Sequence, residues 1–309
     1  HERTFTLDAE PAMVLVDPDL HVLMDIDVEM PRSWLTNQLY TPRSIASRLD
    51  AARFLRGKGS RATTEALARK LADTDEWYTV RAEAADSLGD LSEAGALEEA
   101  MLAGIEDARV RLAVIENLAK IGGPGPVKLL AASAADDDES FACRAAALEG
   151  LARRGGAEYM EVIEAGLRAS SQHEQVRVGA LRGLAWLNTK EALLAAIPYT
   201  QFGQLSRVRP EAIGVVAKLS ELDKDAAYAA VAPLLEDTEA RTRTSAGAAL
   251  VEIEDQRGLA DLDRFIATTR NAEERERAID WRAALAARLA GVDSKRSTGA
   301  EIEKLKGDL

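Results

Sequence analysis

A short helical phrase, written seven times, limits what this chain can fold into more than any other feature. It is clearest in Tyr78-Thr79-Val80-Arg81-Ala82-Glu83-Ala84-Ala85-Asp86-Ser87-Leu88-Gly89. With Arg81 as the anchor, the frame recurs at Arg48, Arg111, Arg144, Arg177, Arg209 and Arg243, at spacings of 33, 30, 33, 33, 32 and 34 residues. Three residues past the anchors stand Ala51, Ala84, Val114, Ala147, Ala180, Ala212 and Ala246. Seven past stand Leu55, Leu88, Leu118, Leu151, Leu184, Val216 and Leu250, and one before stand Ser47, Val80, Val110, Cys143, Val176, Val208 and Thr242. Positions −1, +3 and +7 share one helical face. A small residue at +3 lets a neighbouring helix approach, and a branched one at +7 fills the space beside it. Self-similarity at this period marks a stacked array of supersecondary units.

The spacing predicts two helices per unit. The first helices are expected near 63–72, 93–104, 126–134, 158–168, 190–197, 224–235 and 259–269, and the second helices carry the anchors. Gly57 and Gly59, Gly89, Gly122-Gly123-Pro124, Gly155-Gly156, Asn188 and Gly258 read as breakers between units. Acids stand just before the second helices: Asp73 and Asp75, Asp107, Asp136 to Asp138, Glu174 and Asp237. They are placed to cap those helices and to pair with the anchor arginine. The unit at Arg209 departs, with Pro210 in the frame, Ser206 in place of the acid and an irregular connection over 198–206.

Residues 3–28 fall outside the repeat. Thr4–Leu7, Ala12–Val16 and the alternation Val22, Met24, Ile26, Val28 read as about three strands, with a turn at Asp17-Pro18-Asp19. Pro31 opens a helical segment with Trp34, Leu35 and Leu39. Past Leu250 the register weakens. Residues 273–289 read as a capping helix and 291–309 as a polar tail, with one or two helical turns at 301–306 or none. The expected architecture is all-α: a right-handed α-solenoid of HEAT-like helix pairs (31–290), preceded by a short N-terminal β segment (1–30) and followed by the tail (291–309).

Composition narrows function. Hydrophobic residues make up 47% and aromatics 5%, so Ala and Leu build the core. The net charge of −13 disfavours nucleic acid and anionic membrane as partners. No apolar run approaches a membrane span. Cys143 has no partner for a disulfide within the chain and reads as a buried small hydrophobe. The chain begins at His1, which reads as a mature form or a fragment, and no compartment is legible.

The two-helix unit with an acid before Val-Arg, then Ala and Leu, resembles the HEAT repeat over residues 45 to about 290. The join at residues 11–55 resembles the aminopeptidase-N-like zinc metallopeptidases. Pro11, Val16-Asp17-Pro18, Leu23, Pro31, Gln38-Leu39, Arg48, Ala51-Ala52 and Leu55 carry that likeness. In that family a small β-sandwich ends in a strand, a proline-led crossover and a helix ending in "QL", before a helical C-terminal domain. The chemistry is missing: there is no H-E-x-x-H zinc site and no G-x-M-E-N loop. His173-Glu174-Gln175-Val176-Arg177 has Arg at the second ligand position, and the three histidines, His1, His21 and His173, lie far apart. The Gly122–Gly125 run lacks a phosphate loop's Lys-Ser/Thr.

No catalytic, cofactor or metal residue is therefore assigned. The resemblance implies a non-catalytic lid domain that packs on a catalytic domain and limits peptide entry. The alternative is a free-standing scaffold that binds a protein partner in its groove. An enzyme built on helical repeats, such as a DNA glycosylase or pigment lyase, has no motif here. For a partner, the +5 positions of the second helices matter, because they point away from the core. Asp86, Glu116, Glu149 and Arg182 occupy the middle of that series, followed by the small residues Gly179, Gly183 and Gly214. They predict a concave groove, acidic at its middle, for a cationic or amino-terminal protein or peptide segment.

Overall fold

The computed structural model describes residues 4, 6–19, 21, 22, 24, 28–41 and 44–307, with side chains as far as 291. The described residues are helical or irregular, with no strand among them. They fall into two compact units, His1–Arg154 and Gly155–Leu309.

The first unit holds α1 (Arg32–Tyr40), α2 (Ile45–Leu55), α3 (Arg61–Ala72), α4 (Tyr78–Asp90), α5 (Ala94–Ala103), α6 (Ala108–Ile121), α7 (Pro124–Ala135) and most of α8 (Phe141–Gly155). The second holds α9 (Met160–Arg168), α10 (Gln175–Leu187), α11 (Lys190–Ala196), α12 (Val208–Lys218), α13 (Lys224–Val231), α14 (Ala240–Ile253), α15 (Arg257–Thr268) and α16 (Ala272–Gly307). Odd-numbered helices are the first of each pair and even-numbered ones the second. In the first unit α2, α4 and α6 pack side by side as one layer, and α1, α3, α5 and α7 form the other. In the second, α10, α12, α14 and α16 pack in series.

The face read from the sequence is the face that packs. Every +3 residue from Ala51 to Ala246 and every +7 residue from Leu55 to Leu250 is buried, as are Ser47, Val80, Val110, Cys143, Val176, Val208 and Thr242. Burying one such leucine stabilises a fold by about 1.5–3 kcal/mol. The Cys143 thiol donates to the Ala108 carbonyl at 3.3 Å, and burial pushes its pKa up, so it behaves as a core residue.

Breakers act as expected where backbone geometry requires them. Gly122 and Gly123 take φ of 76° and 108°, and Pro124 then opens α7. Asn188 ends α10 in the left-handed region. Gly89 corrects its assignment as a breaker. It lies inside α4, and a Cβ there would sit 2.1 Å from Asn117 Oδ1, so the glycine serves close approach of α4 and α6. Gly258 is likewise inside α15. Pro198 and Pro233 mark the places where α11 and α13 give way to 3-10 turns at Ile197–Thr200 and Ala232–Glu236.

The arginine ladder is real, but its acids are shifted by one unit. Arg48 donates to Glu76 (2.8 and 2.9 Å), Arg111 to Glu139 (2.7 Å) and Arg209 to Asp237 (3.1 Å), each 28 residues ahead. Arg243 donates to Glu274 at 2.5 Å. The acid before a second helix thus pairs with the anchor of the preceding unit. Arg144, with Asp137, and Arg177, with Glu174, pair inside their own units as expected. Asp107 caps α6 but pairs with Arg109, and Asp73 pairs with Lys70. Asp75 has Asp73 as its near neighbour, and Asp136 accepts from the Asp138 N–H.

Every anchor except Arg48, which bonds the Ser44 carbonyl at the start of its own helix, also reaches back to carbonyls at or just past the end of its own unit's first helix. Examples are Arg81 to Leu71, Arg144 to Ala134, Arg177 to Leu167 and Arg209 to Thr200. A guanidinium there satisfies carbonyls a helix end leaves open. By the same test Arg275, donating to the Ile266 and Thr269 carbonyls, is an eighth anchor that the sequence frame passed over.

The ends differ from expectation. No strand forms among the described residues of the N-terminal segment, while Phe5, Leu23, Asp25, Ile26 and Asp27 lie outside the described residues. Alternation needs a paired edge to become a strand. Here the segment is tied to helices instead: Asn37 donates to the Ala12 carbonyl at 2.8 Å and Ser44 to the Pro18 carbonyl at 2.6 Å. The Asp17 carboxylate accepts from the His21 and Val22 N–H groups and closes the expected turn. At the other end α16 continues to Gly307, past the expected stop at Leu289, through a run rich in helix-favouring Ala, Glu, Lys and Arg.

Candidate functional site

Three consecutive second helices of the first unit bring Asp86, Glu116 and Glu149 onto one surface. The +5 position leaves the core face, so each carboxylate reaches solvent: Glu116 is exposed, and Asp86 and Glu149 are half-buried. Beneath them, Asn117 is wholly buried between α4 and α6. It donates to Asp86 at 2.6 Å and to the Ala113 carbonyl at 2.8 Å, and it accepts from Lys120 at 3.0 Å. Gly89 makes room for that amide. The bridge fixes Asp86 and orients the acidic face.

The electrostatics show mutual influence. Desolvation by the surrounding protein, then the Asp86 carboxylate, raise the Glu116 pKa above its ordinary value; Lys120 opposes this and Glu149 adds to it. Such a face lowers its own free energy by taking up positive charge, from a proton or from a cationic side chain.

Arg182 belongs to the second unit, on α10. It is exposed and donates to Glu211 of α12 at 3.2 Å. Gly214 is exposed with open space above it, as a smooth floor requires, whereas Gly179 and Gly183 are buried in α10 and form no part of a surface. One turn past Arg182, Trp186 is 42% exposed, with Lys218 over its ring at 4.7 Å. The sequence frame missed this pair because a tryptophan at a second-helix position reads as core. Its signal was the i, i+4 relation to Arg182.

Among the described residues no group of three or more His, Cys, Asp or Glu side chains is placed to hold a metal ion. His173 lies in a 3-10 turn with φ 55°, and its neighbour Glu174 is engaged by Arg177. No helix among the described residues is long and apolar enough to cross a membrane.

No known protein family matches the chain, and no curated protein sequence does. Among solved structures it is similar to the YibA protein of Escherichia coli, at 22% identity and a TM-score of 0.53, over 81% of this chain and 91% of that one. It is also similar to the complex of CpcE and CpcF of phycocyanin lyase from a Nostoc species (19%, TM-score 0.44, 86% and 98% covered). A third likeness is to Kap121p (16%, TM-score 0.46, 76% and 32% covered). The fold is a helical repeat.

Proposed function

We propose that the chain is a non-catalytic helical-repeat scaffold that holds a cationic segment of a protein partner against the acidic face of its first unit. The observation that carries this reading is the convergence of Asp86, Glu116 and Glu149 from three successive helices. The Asn117 bridge supports it by fixing the first of them. A lysine- or arginine-bearing peptide gains Coulomb attraction there, and that attraction weakens with salt.

The test is titration of a lysine-rich octapeptide into the chain at about 0.05 and 0.15 M salt. Salt-sensitive binding is expected, and it is lost in the Glu116→Lys, Glu149→Lys double variant. Equal binding by that variant removes the reading.

A finer assignment makes the same scaffold the lid of an aminopeptidase-N-like enzyme. It rests on the sequence likeness at residues 11–55, and the hydrogen bonds that tie Ala12 and Pro18 to Asn37 and Ser44 fit a fixed join at that place. The comparisons supply no link to such enzymes. An H-E-x-x-H motif encoded upstream of His1 in the same reading frame supports this assignment, and its absence there returns the chain to a free-standing scaffold.

A further inference from the structure

Arg81 is the exception in the ladder. The other six anchors of the repeat frame each have a carboxylate partner: Arg48, Arg111, Arg144, Arg177, Arg209 and Arg243. Arg81 is 7% exposed, and its Nε donates to the Leu71 carbonyl at 2.9 Å. Among the described residues no carboxylate lies within ion-pair distance of its guanidinium. A buried cation without a counter-ion is costly.

The repeat is shortened here, by two residues in α5 and by one in the connection that follows it. The spacing from Arg81 to Arg111 is 30 residues, against 33 on either side. Residues 104–107 join α5 to α6, where 73–77 and 136–140 precede α4 and α8. Glu106 holds the frame position of Glu76 and Glu139, five before the next anchor, yet its side chain is exposed and makes no bond to Arg81. The place 28 residues ahead of Arg81, where Glu76, Glu139 and Asp237 stand for their own anchors, is occupied by Arg109.

What remains is a cavity of about 400 Å³ with Arg81 in its lining. Arg109 closes one side, stacked 3.4 Å from the Tyr78 ring and held by Asp107 at 2.6 Å. Trp77 lines the cavity and is 53% exposed. Glu76, also in the wall, is already engaged by Arg48 and Lys70. We propose that this cavity is a socket for a carboxylate side chain of a protein partner, which supplies in trans the counter-ion that Arg81 lacks. Asp75 and Glu106 are exposed at the rim, so an acidic run is repelled. The segment that fits carries its carboxylate next to a lysine or arginine, whose cation meets those rim acids and the Trp77 face. The socket and the acidic face are separate sites, and each stands without the other.

The probe is N-acetyl-Glu-Lys-amide, titrated into the full chain while the Arg81 Nε–Hε resonance is followed by NMR and assigned by its loss in Arg81→Lys. A saturable shift is expected. N-acetyl-Gln-Lys-amide binds about tenfold more weakly, because the charge-assisted bond is gone. Trp77→Ala, an exposed change that leaves the fold intact, weakens binding several-fold, and the Glu116→Lys, Glu149→Lys variant leaves it unchanged. The proposal is overturned by the absence of a saturable shift, by equal affinity for the glutamine probe, or by loss of binding in the acidic-face variant. It is also overturned if a shift appears only in Glu106→Gln, because Glu106 then fills the socket in cis.

Discussion

Arg209 and Arg81 hold the same place in two units, and both are buried, at 1% and 7% exposure. Both donate through Nε to a carbonyl near the end of the preceding helix. They differ in the next unit's answer. Asp237 closes on Arg209, itself capping the Glu239 N–H, and its pKa is lowered chiefly by that arginine. Among the described residues nothing equivalent reaches Arg81. The difference shows that the anchor has two separable roles: bonding carbonyls of its own unit and, at Arg48, Arg111, Arg209 and Arg243, clamping the unit that follows. At Arg81 only the first is filled.

The largest effect is expected from breaking the closed site. Asp237→Ala leaves a buried guanidinium uncompensated and should cost about 3 kcal/mol or more in denaturant unfolding. Arg81→Met should cost only about 1 kcal/mol, the worth of its one carbonyl bond. Equal losses at the two sites would erase the distinction between closed and open units.

Gly89→Ala comes next. Its new Cβ meets the buried Asn117 amide, and overpacking of this kind costs about 1–3 kcal/mol. The Asp86–Asn117 bond should be lost with it, so peptide affinity at the acidic face falls together with the thermal midpoint. A fall in stability with unchanged affinity would detach the bridge from the face.

Titration separates two carboxylates of the first unit by sign. Burial alone would raise the Glu76 pKa, but hydrogen bonds from Arg48 and Lys70 outweigh it and bring the value down to about 2. A group depressed in the folded state contributes stability above its unfolded value, near 4.5, and that contribution is lost as pH falls through about 2. Glu76→Gln should flatten this acid limb of an unfolding-versus-pH profile. Glu116 is raised, so its ionisation works against folding. Its penalty is absent below the unfolded value and complete above the folded one. Glu116→Gln should therefore leave stability at pH 7 unchanged or slightly higher, the smallest effect of the series. A loss there would mean that Glu116 has a partner in solution.

The sequence made the buried face legible because helical period and repeat period agree at −1, +3 and +7, and only one face can satisfy both. The first helices were equally legible, since Gly122-Gly123-Pro124 and Asn188 punctuate them by backbone geometry. The pairing of the ladder was not. A charge 28 residues ahead of one anchor is also five or six residues before the next, so spacing alone cannot say which arginine it serves. Arg275 escaped because its helix lacks the leucine at +7, where Arg282 stands. The N-terminal alternation forms no strand among the described residues, because alternation records a face, whereas a strand also needs a neighbour for its backbone. In the candidate site, Asp86, Glu116 and Glu149 were legible from the +5 register. Asn117 was not, because a buried amide beside a glycine reads as neither core nor surface.

The clamp between successive units is tested most directly by a double-mutant cycle on Arg209 and Asp237, using Arg209→Met and Asp237→Asn alone and together, read by equilibrium unfolding at pH 7. A coupling of about 2 kcal/mol or more is predicted, because each residue loses most of its benefit once the other is gone. Additivity within about 0.5 kcal/mol would contradict the clamp.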